Sequence, residues 1–136
     1  MVVVGVDFGT RHIGISIGDT ISKQARPLTS FSWSAASGYL NEMRSIIERW
    51  CPDQLVVGMP LNADGTRQSI SDHVQAFVET CESHFSIPVA TADERWSTVS
   101  AKTYLYETNK HHAVKKQHID AESASVILSQ WLRECA

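Results

Sequence analysis

Val2-Val3-Val4-Gly5-Val6-Asp7 begins the sequence, and Ile13-Gly14-Ile15-Ser16-Ile17-Gly18 follows after a break at Phe8-Gly9-Thr10. The first stretch is rich in β-branched residues and uninterrupted, the pattern of a central strand buried on both faces. The second alternates isoleucine with glycine or serine. That period of two gives a strand one bulky face and one face of small residues. So short a turn joins strands antiparallel, because a parallel pair needs a long crossover. The fold therefore starts as a hairpin whose first strand ends on an aspartate.

Working outward, residues 26–32 read as a third strand. Leu40, Met43, Ile47 and Trp50 recur at helical spacing, which predicts a helix over 37–50 stopped by Pro52. Leu55-Val56-Val57-Gly58 is a short buried strand, and Asn62-Ala63-Asp64-Gly65 a turn. Ile70, Val74, Phe77, Val78 and Cys81 mark the inner face of a second helix, and residues 87–91 another strand. A third helix is expected from Ser97 or Thr98, with Ala101, Tyr104 and Leu105 inward. A last helix is expected from Asp120, with Ala121, Ala124, Leu128 and Trp131 on one face. Three strands on short turns, then strand–helix alternation, make an α/β fold: a mixed sheet flanked by helices.

Composition bounds the function. At 136 residues, 43% hydrophobic and 20% charged, the chain reads as one globular domain, 1–136. The apolar run at the N-terminus is too short to cross a bilayer, and Met1 is not followed by a charged signal-peptide start. Three cysteines, at 51, 81 and 135, show no CxxC or Cys/His ligand spacing, which fits free thiols in a reducing compartment. A cytoplasmic protein is expected. A net charge of −3 argues against unspecific grip on long nucleic acid. One local basic patch, Lys110, His111, His112, Lys115, Lys116 and His118, stands just before Asp120; a solvated loop is its plainer reading.

Three acids sit at telling places. Asp7 closes the first strand, Glu94 follows the last short strand, and Asp120 opens the last helix. In open α/β sheets function gathers at the carboxyl ends of parallel strands. Acids emerging there together repel unless a cation neutralises them, and hard oxygen donors suit Mg²⁺ or Mn²⁺. Each has an ordinary alternative. Asp7 could form a turn, Glu94 and Arg95 a surface pair, and Asp120 a helix N-cap; Asp93 competes with Glu94 as ligand.

Asp7-Phe8-Gly9-Thr10 after a strand also resembles the first phosphate loop of the actin and sugar-kinase superfamily. Those proteins close two lobes around a nucleotide, more than 136 residues supply, and no GxxxxGK[ST] or strand-linked GxGxxG occurs. A wider resemblance covers nearly the whole chain. Residues 5–14, Arg26-Pro27-Leu28, residues 56–66, Asp93-Glu94-Arg95-Trp96-Ser97-Thr98, and Ile119-Asp120-Ala121 with Ser123-Ala124 are similar, in order and spacing, to the motifs of the YqgF family, also called RuvX. Ser123 and Ser125 depart from a segment that is usually richer in alanine.

That resemblance implies a ribonuclease H-like fold with the hairpin strands at one side of a five-stranded sheet. It implies Asp7, Glu94 and Asp120 as an acidic triad holding Mg²⁺ or Mn²⁺. The implied activity is a metal-dependent nuclease on structured nucleic acid, either maturing the 5′ end of precursor 16S ribosomal RNA or resolving branched DNA. A ribosome-assembly or RNA-binding factor that does not cleave is the alternative from another class. Thr10, Arg11, Arg95, Lys115 and Lys116 are candidate contacts to the substrate backbone. Ribosomal particles are possible partners, and the chain is a monomer or, as junction resolution would ordinarily want, a homodimer.

Overall fold

A computed structural model describes residues 1–9, 11–34, 36, 38–59, 70–93 and 116–135. Five strands form one sheet: β1 (Val2–Phe8), β2 (His12–Asp19), β3 (Gln24–Ser32), β4 (Gln54–Met59) and β5 (Val89–Asp93), in the order β3-β2-β1-β4-β5. β1 pairs antiparallel with β2 and parallel with β4, and β4 pairs parallel with β5. The hairpin strands thus occupy one side of a mixed sheet, as expected. Three helices are described: α1 (Leu40–Trp50), α2 (Ser71–Phe85) and α3 (Lys116–Cys135). The helix expected from residue 97 or 98 falls outside the described residues.

The alternation in β1 and β2 sorts the two faces. Val4, Val6 and Phe8 with Ile13 and Ile15 pack against Met43 of α1 and Val74, Phe77, Val78 and Cys81 of α2. Val3 and Val56 pack on the other face beneath Ile127, Leu128 and Leu132 of α3. The small-residue face of β2 lies under α3. A Cβ added to Gly18 would sit 2.9 Å from a Leu132 methyl, and one on Gly5 2.7 Å from Leu128 Cβ. Buried Ser16 Oγ donates to the Ala124 carbonyl at 2.8 Å. Removing side chains from the sheet lets α3 settle closely, and one hydroxyl joins helix to strand, a bond worth about 1 kcal/mol net.

Several boundaries differ from the sequence reading, and four of them have a clear physical reason. α1 begins at Leu40 rather than 37, because Gly38 takes φ +70° and its N–H closes a turn onto the Ser34 carbonyl at 2.7 Å. β3 begins at Gln24 and carries an extra residue: Ile15 faces Thr29 while Ser16 faces Pro27, so Leu28 bulges. Pro27 costs no ladder bond on this edge strand. β5 starts at Val89, after Pro88, whose carbonyl still accepts from the Leu55 N–H at 3.0 Å. The last helix is already formed at Lys116, a turn before Asp120, and Lys116-Gln117-His118 offers no glycine or proline to stop it. Asp120 is therefore inside the helix and is not its N-cap.

Trp50 belongs to the apolar spacing that predicts α1, of which only Met43 is fully buried. Trp50 is only half-buried, with the guanidinium carbons of Arg26 and Arg49 5.6 Å and 5.5 Å from its ring centroid. α1 then ends on Cys51 in the left-handed conformation, with Pro52 next. Among the described residues no helix is long and apolar enough to cross a membrane.

Burial pushes the Cys81 thiol up from 9.0 to about 12, with Glu82 adding to the effect, whereas Cys51 is exposed. The unfolded chain ionises at Cys81 near the ordinary thiol value and the folded chain does not, so folding binds an extra proton between those limits. Stability should fall as pH rises from about 9 towards 12, by up to about 1.4 kcal/mol per unit. Urea titrations of wild type and Cys81→Ala across that range check it: the variant starts less stable but loses less with pH.

Candidate active site

β1, β4 and β5 run parallel, so their carboxyl ends share one edge of the sheet. Asp7 is the next-to-last residue of β1. Val3 packs beneath α3 and Gly5 lies against Leu128 and Ala124, so the alternation turns Asp7 to the same side. Its ladder partner is Gly14, and Cα atoms so paired stand about 5 Å apart. A Cβ on Gly14 would overlap the carbonyl oxygen of Asp120 and lie 2.9 Å from the Ala121 nitrogen. The main chain of Asp120 therefore rests on the strand next to Asp7. The residues at 120, 124 and 128 form one helical stripe, meeting Gly14, then Ser16 and Gly5, then Gly5 and Gly18.

This packing brings Asp7 and Asp120 together, though they are far apart in sequence. Asp7 is half-exposed, and Asp120 is half-buried with its Oδ2 atom enclosed. Around Asp7 on the α3 side the neighbouring strands carry almost no side chain. Gly14 pairs with it on β2; on β4 the pairing with β1 ends at Val57 opposite Val6, and the next residue, Gly58, pairs with Ala92 on β5. A carboxylate on this edge, with Asp120 seated on the paired strand, is the kind of hard oxygen donor that Mg²⁺ or Mn²⁺ takes.

β5 delivers the chain to this edge at Asp93, opposite Met59. The Asp93 side chain and Glu94 lie outside the described residues, as do Thr10, Arg95 and Lys115. Lys116 contributes the first residue of α3, its side chain also outside them. The rest of the basic patch, 110–115 and the His118 side chain, is likewise not described. Among the described residues no set of three or more metal-ligating side chains is gathered. Arg11 is exposed in the β1–β2 turn, on the edge where β1 ends.

Sequence reasoning missed Gly14. The alternation with isoleucine revealed a bare face, but only the position of α3 shows that it seats Asp120. The sequence places Asp7 near the end of the first strand and Asp120 in the last helix, and the packing of α3 on Gly14 sets the main chain of Asp120 beside the strand that carries Asp7.

Comparison with known proteins agrees with this architecture. Thermus thermophilus RuvC in complex with a Holliday junction substrate superposes with a TM-score of 0.59 at 14% identity, over 97% of this chain and 94% of that one. The fowlpox virus resolvase with Holliday junction DNA gives 0.62 at 10% identity, over 98% and 97%. At such identities the likeness is one of fold, here ribonuclease H-like. Closer relatives, named "Putative pre-16S rRNA nuclease", include one from Proteus mirabilis, 40% identical over 129 residues, covering 95% of this chain and 93% of the relative. Another, from Buchnera aphidicola, is 37% identical over 131 residues and covers 96% of each. The RuvX family model, described as "Holliday junction resolvase", matches residues 1–134. With that match running through every element that builds the acid edge, the chain belongs to the RuvX family.

Proposed function

We propose that this chain is a divalent-metal-dependent nuclease of one domain, 1–136, that processes the 5′ end of precursor 16S ribosomal RNA in the cytoplasm. The observation that carries the reading is the close seating of α3 on Gly14, which sets Asp120 beside Asp7 at the carboxyl edge. Like charges gathered at one edge repel, so an arrangement that directs acids there favours a cation. The names of the relatives support the substrate.

Asp7, Glu94 and Asp120 would hold Mg²⁺ or Mn²⁺. Bound there, a pair of such ions supplies an activated water and charge stabilisation for in-line phosphodiester hydrolysis. Glu94 rather than Asp93 is taken as the third acid, as the resemblance to the family's Asp-Glu-Arg motif implies. Thr10, Arg11, Arg95, Lys115 and Lys116 are assigned to the substrate backbone, where cations position without reading sequence.

Holliday-junction resolution is the second reading, favoured by the likeness to two resolvase structures and by the family's description. Cleavage-product mapping separates them. A precursor 16S fragment and a four-way junction are each incubated with the protein in Mg²⁺, Mn²⁺ or EDTA, beside Asp7→Asn, Glu94→Gln and Asp120→Asn. Metal-dependent cuts at the 5′ end of the RNA, lost in all three variants, are expected. Symmetric cuts on the junction alone would favour resolution. Binding without cleavage in any metal would leave an assembly factor.

A further inference from the structure

Trp33 follows β3 directly and sits under the turn that carries Arg11. Its main-chain N–H donates to the Arg11 carbonyl at 2.9 Å, and its indole Nε1–H donates to the Gly9 carbonyl at 2.7 Å. The turn is closed from within by a third bond, Gly9 N–H to the His12 carbonyl at 2.9 Å. One residue thus grips the turn at two carbonyls. The indole is itself fixed, its ring centroid 5.0 Å from that of Phe8 and 5.7 Å from that of Tyr39. Both of those rings also pack on Phe77, at 5.0 Å and 4.8 Å. Phe8 adjoins Asp7 in β1 and points to the opposite face. The aromatic cluster therefore anchors, through Trp33, the segment that leaves the acid edge.

Filling the core would need only the ring. The main-chain bond continues the β2–β3 pairing and any residue but proline would make it; the indole bond is what a filler does not require, and it ends on the turn rather than in the core. A charged contact to a phosphate gains most when its backbone is already held, since the ordering cost has been met before the ligand arrives.

We infer that Trp33 is a positioning residue for nucleic-acid binding, acting by pinning the turn so that Arg11 is presented at the acid edge. This rests on the reading above that Arg11 meets the substrate backbone. Trp33→Phe tests it, because phenylalanine keeps an aromatic ring against Phe8 and Tyr39 and the main-chain bond, and loses only the Nε1–H donor.

Binding of a fluorescein-labelled precursor 16S fragment is measured by anisotropy with Ca²⁺ as the cation, so that cleavage plays no part. Beside it, amide hydrogen exchange is followed at Gly9, Arg11 and His12. The expected result for Trp33→Phe is a Kd raised about five- to tenfold, the size of one neutral hydrogen bond, and faster exchange confined to the turn. In an Arg11→Ala background the same change should alter Kd less than twofold, because two residues acting through one contact are not additive. Wild-type affinity in Trp33→Phe, or an undiminished effect without Arg11, would overturn the role. If the wild-type chain binds neither this RNA nor a four-way junction, the nuclease reading fails and takes the role with it. Exchange in the turn then still reports whether the grip exists.

Discussion

Asp7→Asn should lower metal-dependent cleavage at least about 1,000-fold while leaving the melting temperature, measured in EDTA, equal to or above that of wild type. The two halves of this result have one cause. Asp7 stands on a face where its paired residue, Gly14, carries no side chain, and α3 seats Asp120 on that glycine. Without a cation the two negative charges oppose each other, so neutralising one relieves the folded state. With a cation the same neutralisation removes a charged ligand. Several kilocalories per mole of transition-state stabilisation depend on that ligand set, and each 1.4 kcal/mol is tenfold in rate. An ordinary structural aspartate behaves oppositely, losing stability when changed and affecting rate only through unfolding. Mn²⁺ affinity by titration calorimetry supplies a readout independent of turnover, and it should fall in step with the rate. Cleavage by Asp7→Asn at the wild-type rate, from protein freed of contaminating nuclease, would remove Asp7 from the site.

How much of this was legible in the sequence depends on distance along the chain. The β1–β2 hairpin was readable because its signals, β-branched Val2-Val3-Val4 and alternating Ile13, Ile15 and Ile17, are local. The inner face of α2 was readable for the same reason, and Val74, Phe77, Val78 and Cys81 are all buried. Strand–helix alternation gave a mixed sheet, and the parallel run of β1, β4 and β5 is the condition under which acids at their ends would share one edge. The reading was weakest where long-range packing overrides local chemistry. Asp120 looks like an N-cap because aspartate favours that place, yet α3 extends a turn further, and its stripe at 120, 124 and 128 answers to glycines in β1 and β2. Trp50 fits the apolar stripe of α1 by spacing, but the helix lies near the sheet edge, where the ring meets arginines instead of core. Trp33 gave no signal, since its partners Gly9 and Arg11 are set by the pairing of β2 with β3.

Gly14→Ala should do more damage to the site than to the fold, and the difference identifies what the bare face of β2 is for. The added methyl would meet the Asp120 carbonyl and the Ala121 nitrogen, all main-chain atoms of α3 that no rotamer can move aside. Carbon and oxygen settle near 3.5 Å, so the start of α3 must retreat by roughly an ångström or more. Overpacking of this kind costs about 1–3 kcal/mol, which leaves a folded protein if the domain has ordinary stability. The retreat carries Asp120 away from Asp7, and misplacing a reacting group by about 1 Å is worth about 100-fold in rate. Two other glycines separate these effects. Gly5→Ala meets Ser16 Oγ at 2.5 Å and Leu128 Cβ at 2.7 Å, two turns further along α3, so it should cost similar stability with a smaller loss of Mn²⁺ affinity. Gly38→Ala meets nothing within 4 Å and is strained only by its φ of +70°, so it should cost about 1 kcal/mol and leave cleavage unchanged. Urea titration and Mn²⁺ calorimetry on the three variants, at a temperature where all are folded, give the comparison. Folded Gly14→Ala that binds Mn²⁺ and cleaves like wild type would mean that Asp120 is not placed by this contact, and the acid edge would then have to be built some other way.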